Sequence, residues 1–327
     1  MYRWVWIMLL CVAGMLLLSA CFFGGTVMSA QYDHAQDYQT GAFSYEAAKV
    51  RQVNVNWYSG SVSLKVTERE KPEVRESGTD LPAEKALHWR LDGEVLYVEF
   101  CASGYVGRFS GADKKLTVEV PKGILLNVNT TSAGIAADIG EQAEVTLHST
   151  SGTIEVTDGT VAGKLTLGTT SGGIQAEKME AAVLAAETTS GTIRLESAKI
   201  TESASLESTS GGIRAERMMA VGGTLSVRSN SGSVRLEEVR AKTLAAKTTS
   251  GGVTLGMYAC EQASVHTTSG SVRLNLGPEL GVSVSVQSTS GGFNGSGFKS
   301  QDGNRYVWGD GACPVDIRTT SGSVTVR

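Results

Sequence analysis

Thr188-Thr189-Ser190-Gly191-Thr192-Ile193 is the stretch that decides the fold, because near copies of it run down the C-terminal two thirds of the chain. The copies read TTSAGI from Thr130, STSGTI from Ser149, TTSGGI from Thr169, STSGGI from Ser208, SNSGSV from Ser229, TTSGGV from Thr248, TTSGSV from Thr267, STSGGF from Ser288 and TTSGSV from Thr319. The serine common to all ten falls at Ser132, Ser151, Ser171, Ser190, Ser210, Ser231, Ser250, Ser269, Ser290 and Ser321, at intervals of 19, 20, 19, 20, 21, 19, 19, 21 and 31. A period near 20 residues is short for a helical pair and fits one coil of a β-solenoid.

Outward from this corner, apolar residues alternate on both sides. Two and four residues before the first Thr or Ser stand pairs such as Val128 and Leu126, or Leu167 and Leu165; five and seven after it stand Ile135 and Ala137, or Ile193 and Leu195. The copy at Ser288 lapses, with Phe293 followed by Gly295. Alternation of period two around a glycine-containing corner folds two strands of each coil about a shared interior, which only the coils above and below can seal. The expected fold is all-β: a single-stranded, right-handed β-helix of about 20 residues per coil, in which ten layers at about 4.8 Å make a rod on the order of 50 Å. Glycine is expected to supply positive φ at the corner, and the stacked serines a structural hydroxyl ladder. The second-position residues, Thr131 to Thr320 with Asn230 among them, could alternatively serve as a regular hydroxyl array, but a corner is a poor flat surface for ice or glycan.

Composition agrees with many short strands and tight turns: 39 glycines, 5 prolines, 6% aromatics and 41% apolar residues in 327. A net charge of −4 drawn from both signs gives no electrostatic case for nucleic acid. Of five cysteines, Cys11 and Cys21 lie in the N-terminal apolar segment. Cys260 and Cys313 occupy similar phases on coils two apart in sequence, roughly 10 Å if the coils stack in order, beyond a bridge unless the long last interval folds back.

Residues 1–30 carry one early charge, Arg3, and then an apolar run from Trp4 to Ala30. Two readings stay open. The run is long enough to span a bilayer as a signal anchor, a membrane helix; alternatively Leu18-Ser19-Ala20-Cys21 fits a lipoprotein signal, with lipidation at Cys21. Either places the protein at the cell membrane with the bulk of the chain extracytoplasmic. Residues 31–50 read as a juxtamembrane linker, 51–124 as an irregular N-terminal β region capping the solenoid, and 125–327 as the repeat solenoid with an insertion at 294–312. That insertion holds Tyr306 and Trp308, and reads either as a flap over the open end or as a binding loop.

No catalytic constellation is visible. The four histidines are scattered, and the metal, redox and phosphate-loop motifs are missing, so no catalytic, metal or cofactor site is expected. A carbohydrate-active β-helix enzyme would need Asp138, Glu155 and Asp158 gathered on one face. Outward positions after the corner give Arg194, Arg214, Arg235 and Arg273 beside Glu196, Glu216 and Glu237. These columns read as a charge-balanced face, or as a contact surface for an anionic wall polymer.

LTVEVPKG at Leu116 to Gly123, ILLNVNTTSAGI after it, and the TSGxI/V units that follow resemble the bacterial "putative adhesin" family known as domain of unknown function 4097. The resemblance covers roughly residues 50 to 327. It implies a β-helix on surface-exposed or membrane-anchored bacterial proteins, without established catalytic residues. The expected function is therefore a non-enzymatic, membrane-anchored cell-envelope protein, an adhesin or interaction scaffold. Its partners would be the membrane and a wall polymer, glycan or protein. The alternatives are a carbohydrate-active enzyme or an envelope-stress or signalling accessory.

Overall fold

The computed structural model describes residues 27–78, 81–108 and 114–327. Among them the structure is all-β, a stack of parallel coils, with helical geometry confined to two short 3-10 turns. No helix of the described residues is long and apolar enough to cross a membrane. The expected N-terminal membrane helix and Cys21 lie outside the described residues.

The coil containing Ile174–Thr188 shows the design. Ile174, Ala176, Met179, Ala181, Leu184, Ala186 and Thr188 are buried, while Gln175, Glu177, Lys178, Glu180 and Glu187 are exposed. The strand bends at Lys178, which has φ of 52°, and again where the pairing register shifts between Ala181 and Val183. Each coil therefore has three sides: the strand before the Thr-Ser corner, the strand after it, and a short third segment. The left-handed residue of the second corner recurs in register at Asp158, Lys178, Ser197, Arg217 and Glu238. Ile174 pairs with Ile193, Leu184 with Ala204 and Thr188 with Ser208, so like residues stack on like. Burying each Leu, Ile or Val column residue stabilises the stack by about 1.5–3 kcal/mol relative to exposure, and the gain exists only between layers.

At the Thr-Ser corner the ten common serines are exposed, and their main chain carries the ladder. Ser190 N–H donates to Thr170 O (2.9 Å), Ser210 N–H to Thr189 O (2.8 Å) and Ser231 N–H to Thr209 O (3.0 Å). The hydroxyl ladder belongs to the residue two places earlier, which is buried in nine of the ten copies. Thr188 Oγ1 donates to Gly172 O of the layer below (3.2 Å) and accepts from its own Gly191 N–H (3.0 Å); Thr169, Ser208, Ser229, Thr248 and Thr267 repeat both bonds.

The corner glycines differ from expectation. None of those following the common serine has positive φ. They are required because a Cβ at Gly172 would stand 2.6 Å from the Gly152 carbonyl carbon, closer still to its oxygen, and 2.9 Å from Thr169 Oγ1. The next position is roomier: a Cβ at Gly173 meets nothing nearer than Thr192 O at 3.5 Å. The repeats accordingly keep glycine at the first position, apart from Ala133 in the first copy, and admit Thr153, Thr192, Ser233, Ser271 and Ser323 at the second.

Spatial order departs from chain order at both ends. Residues 52–66 form a full coil that lies between the coil of 125–138 and one built from Val95–Glu99 and Lys115–Val120. At the other end Cys313–Thr319 pairs with both 263–267 and Val282–Ser288, and Val324–Val326 pairs with both 272–274 and Phe293–Gly295. The last coil in sequence is thus inserted between the two before it. Antiparallel strands cover stretches of the flanking edges: His88–Asp92 lies over Val95–Glu99 and Glu73–Ser77 over 115–118 at one end, and Arg305–Trp308 over 282–285 at the other. Covering them removes the unpaired row through which an open solenoid would add another chain. Phe43 stacks on Trp89 (3.8 Å, 12°), holding the outermost residues of the N-terminal end against this cover.

Candidate functional site

Parallel, in-register stacking turns any outward residue repeated per coil into a column with a step of about 4.8 Å. The column after the Thr-Ser corner holds Arg194, Arg214 and Arg235 on successive layers, then Thr254, then Arg273. The first three are neutralised from within their own strands: Arg214 Nε donates to Glu216 Oε1 (2.6 Å), Arg235 Nε to Glu237 Oε1 (2.5 Å), and Arg194 lies 4.0 Å from Glu196. Arg217 adds a further contact to Glu196. Arg273 is exposed and makes no ion pair among the described residues.

The column before the corner is different in kind. Stacking in space runs His148, Gly168, Glu187, Glu207, Arg228, Lys247, His266, Arg318 and Gln287. Two acidic layers are followed by four layers of basic or imidazole side chains. Arg228 and Lys247 make no ion pair among the described residues. Arg318 Nε donates to Asp316 Oδ2 (2.9 Å), and His266 Nε2, buried and without a hydrogen-bond partner, lies 3.9 Å from the same carboxylate oxygen. Exposed Thr249, Thr268 and Thr320 run alongside, and with Lys247, His266 and Arg318 they line a groove of about 530 Å³ that reaches Asn304 of the terminal hairpin, whereas Arg228 lines a neighbouring groove with Glu187, Glu207 and Lys247. Arg318 follows His266 directly in this column only because the last coil is threaded between its predecessors. Sequence reasoning missed the stripe: in chain order Gln287 interrupts it, and the spatial order is what joins His266 to Arg318.

The aromatic residues of the insertion form a cluster at the rod's end. Tyr306 stacks on Phe293 (3.7 Å, 15°), and Trp308 lies 5.5 Å from the Phe298 ring. Tyr306 is half-buried against the core, whereas Trp308 is 40% exposed. Their strand pairs antiparallel with Val282–Ser288, so these rings sit on the cover of the terminal layer. Of the three carboxylates on which an enzymatic reading depends, Asp138 and Asp158 line one groove of about 620 Å³ with Lys178 and Lys199, and Glu155 does not line it. No group of three or more His, Cys, Asp or Glu side chains among the described residues could hold a metal ion.

A single-stranded parallel solenoid displaying outward columns, with both ends covered, is the class of protein that fold and surface define. The sequence profile of the family Toastrack DUF4097 matches residues 97–224 and 204–327, and the chain belongs to that family. Similar solved structures include a "putative cell adhesion protein" from Clostridium sporogenes ATCC 15579, 11% identical, aligned over 88% of this chain and 98% of that one with a TM-score of 0.20. Another is a "putative adhesin" from Bacteroides fragilis NCTC 9343, 11% identical, aligned over 88% and 97% with a TM-score of 0.41. No curated protein matches the sequence.

Proposed function

We propose that this chain is a non-enzymatic, membrane-tethered surface scaffold of the adhesin type, and that it contacts an extended anionic cell-wall polymer along the stripe Arg228, Lys247, His266 and Arg318. The observation that carries the proposal is the juxtaposition of these four side chains on successive layers, with Asp316 paired to Arg318 and Glu207 on the layer next to Arg228. An exposed ion pair is worth only about 0.2–1 kcal/mol. A rigid rod offering several at a fixed step adds them without paying again for orientation. The threonine hydroxyls alongside supply neutral hydrogen bonds to the same polymer. Arg194, Arg214 and Arg235 are the weaker candidates, because all three are paired with a carboxylate of their own strand, whereas in the stripe Arg318 is so paired and, among the described residues, Arg228 and Lys247 are not. The apolar run from Trp4 to Ala30 supports tethering.

The test is co-sedimentation of the full chain with cell-wall fragments that carry, or have been stripped of, their anionic polymer. Binding should require the polymer, weaken steeply with added salt, and fall about tenfold or more in the triple variant Arg228→Gln, Lys247→Gln, Arg318→Gln. The matching variant of Arg194, Arg214 and Arg235 should bind nearly as wild type. Equal binding by both variants would remove the stripe from the account.

A further inference from the structure

The exchanged coil brings together two cysteines that chain order keeps apart. Cys260 lies on the strand Val253–Thr267 and Cys313 opens Cys313–Thr319; these strands are direct neighbours, with Ala263 opposite Val315. Continuing that register two residues back sets Cys313 beside Glu261, one residue from Cys260. In a parallel pair such an offset separates the Cα atoms by about 6 Å, the commonest spacing across a disulfide. Each thiol shifts the other's acidity, and Cys260 Sγ lies 2.9 Å from Gln262 O. Cys260 is partly exposed, Cys313 is buried, and both are free thiols in this structure.

The geometry points to Cys260 and Cys313 as a disulfide-forming pair that staples the threaded last coil to the body of the rod. The two sulfurs have complementary roles. The neighbouring Cys313 thiol lowers the Cys260 pKa, while Cys260 and burial raise that of Cys313. Cys260 is therefore the accessible nucleophile and Cys313 the resolving thiol. As thiolate, Cys260 attacks one sulfur of an external disulfide oxidant; a bond forms from Cys260 to that sulfur, the oxidant's S–S bond breaks and one thiol leaves. Cys313 then loses its proton and attacks the Cys260 sulfur, expelling the second thiol. Two cysteine thiols lose two electrons, and the oxidant disulfide gains them and both protons.

Such a bond would act where the architecture needs it. The strand 313–319 is held in its slot by ladders to a neighbour on each side, and the chain reaches it only through the hairpin of Lys299–Asp302 and Arg305–Trp308. Opening that slot would free the end of the chain and expose two strand edges. A crosslink between 260 and 313 closes a loop that contains the hairpin and the layer beyond it, restricting the opened states.

The full chain is incubated with glutathione disulfide under native conditions, remaining thiols are alkylated, and the digest is read by mass spectrometry. The expected product is a Cys260–Cys313 linked peptide two hydrogens lighter than its parts, with buried Cys101 recovered as a thiol. Cleavage near the C-terminus by added protease should slow by about tenfold or more on oxidation, recovering when a reductant is added. Cys260→Ser, at a partly exposed position, should fold normally and lose this redox dependence. Recovery of both cysteines as thiols, a stable glutathione adduct on Cys260, or redox-dependent protection persisting in Cys260→Ser would each overturn the proposal.

Discussion

Two adjacent glycines, Gly172 and Gly173, should respond in opposite directions to the same substitution. Replacing Gly172 by Ala drives a methyl to 2.6 Å from the Gly152 carbonyl carbon, and the obstacle is main chain from the next layer, which cannot swing aside. The layers must part locally. Overpacking of this kind costs about 1–3 kcal/mol. Parting also stretches the bonds from Thr169 Oγ1 to Gly152 O (3.3 Å) and from Ser171 N–H to Thr150 O (2.9 Å), each worth about 1 kcal/mol. The sum for Gly172→Ala is a loss of roughly 3–5 kcal/mol. Gly173→Ala meets only ordinary contact at 3.5 Å and has no positive φ to defend. By narrowing the unfolded chain's freedom it should stabilise by about 0.4–1 kcal/mol. Guanidinium unfolding of both variants followed by circular dichroism measures the difference. A Gly172→Ala variant as stable as Gly173→Ala would refute the argument that layer-to-layer carbonyl approach selects glycine here.

Other outcomes follow from the same structure. Thr188→Val should cost about 1–3 kcal/mol, because it leaves Gly172 C=O and Gly191 N–H buried without their partner, whereas Thr188→Ser should be nearly neutral, as serine already serves at Ser208 and Ser229; thermal melts of the two variants decide this. Lys178→Gly should raise the melting temperature by relieving a left-handed residue at φ of 52°, a gain of about 1 kcal/mol, while Lys178→Val should lower it. Glu99 is buried, accepts from Asn56 Nδ2 (2.8 Å), and burial raises its pKa to about 8. Since the folded pKa exceeds the unfolded one, its neutral form's contribution is fully present below about pH 4.5 and is lost as pH rises toward 8. Glu99→Gln should flatten stability across that window and be the more stable protein above it, by a few kcal/mol and about 5 at most; denaturation midpoints taken from pH 4 to pH 9 test this.

The coils and their apolar columns were legible because period-two alternation on either side of the corner admits one arrangement: Leu184, Ala186, Ile193 and Leu195 seal a core only when stacked. What the residues hid was order. Every coil presents nearly the same inward set, so Val315 and Ile317 fit against Ala263 and Val265 as well as Val284 and Val286 do, and the alternation is blind to which is chosen. The only trace was the interval of 31 before Ser321, which leaves room for a hairpin and a return. The second corner was invisible for another reason: Asp158, Lys178, Ser197, Arg217 and Glu238 share a backbone conformation but no side-chain chemistry. The basic stripe was hidden by the same ambiguity of order, since Arg318 joins His266 across 52 residues of chain that fold away beyond it.

Threading of the last coil between its two predecessors is the feature on which the stripe and the cysteine pair both depend. Disulfide trapping between paired outward positions measures it directly: Arg273 lies opposite Thr325, and Thr325 opposite Asn294. The double variant Arg273→Cys, Thr325→Cys should trap a linked peptide under mild oxidation. Arg273→Cys with Asn294→Cys, two layers and about 10 Å apart, should not. The reverse pattern, with 273 captured by 294 and not by 325, would show coils stacked in chain order and contradict the account.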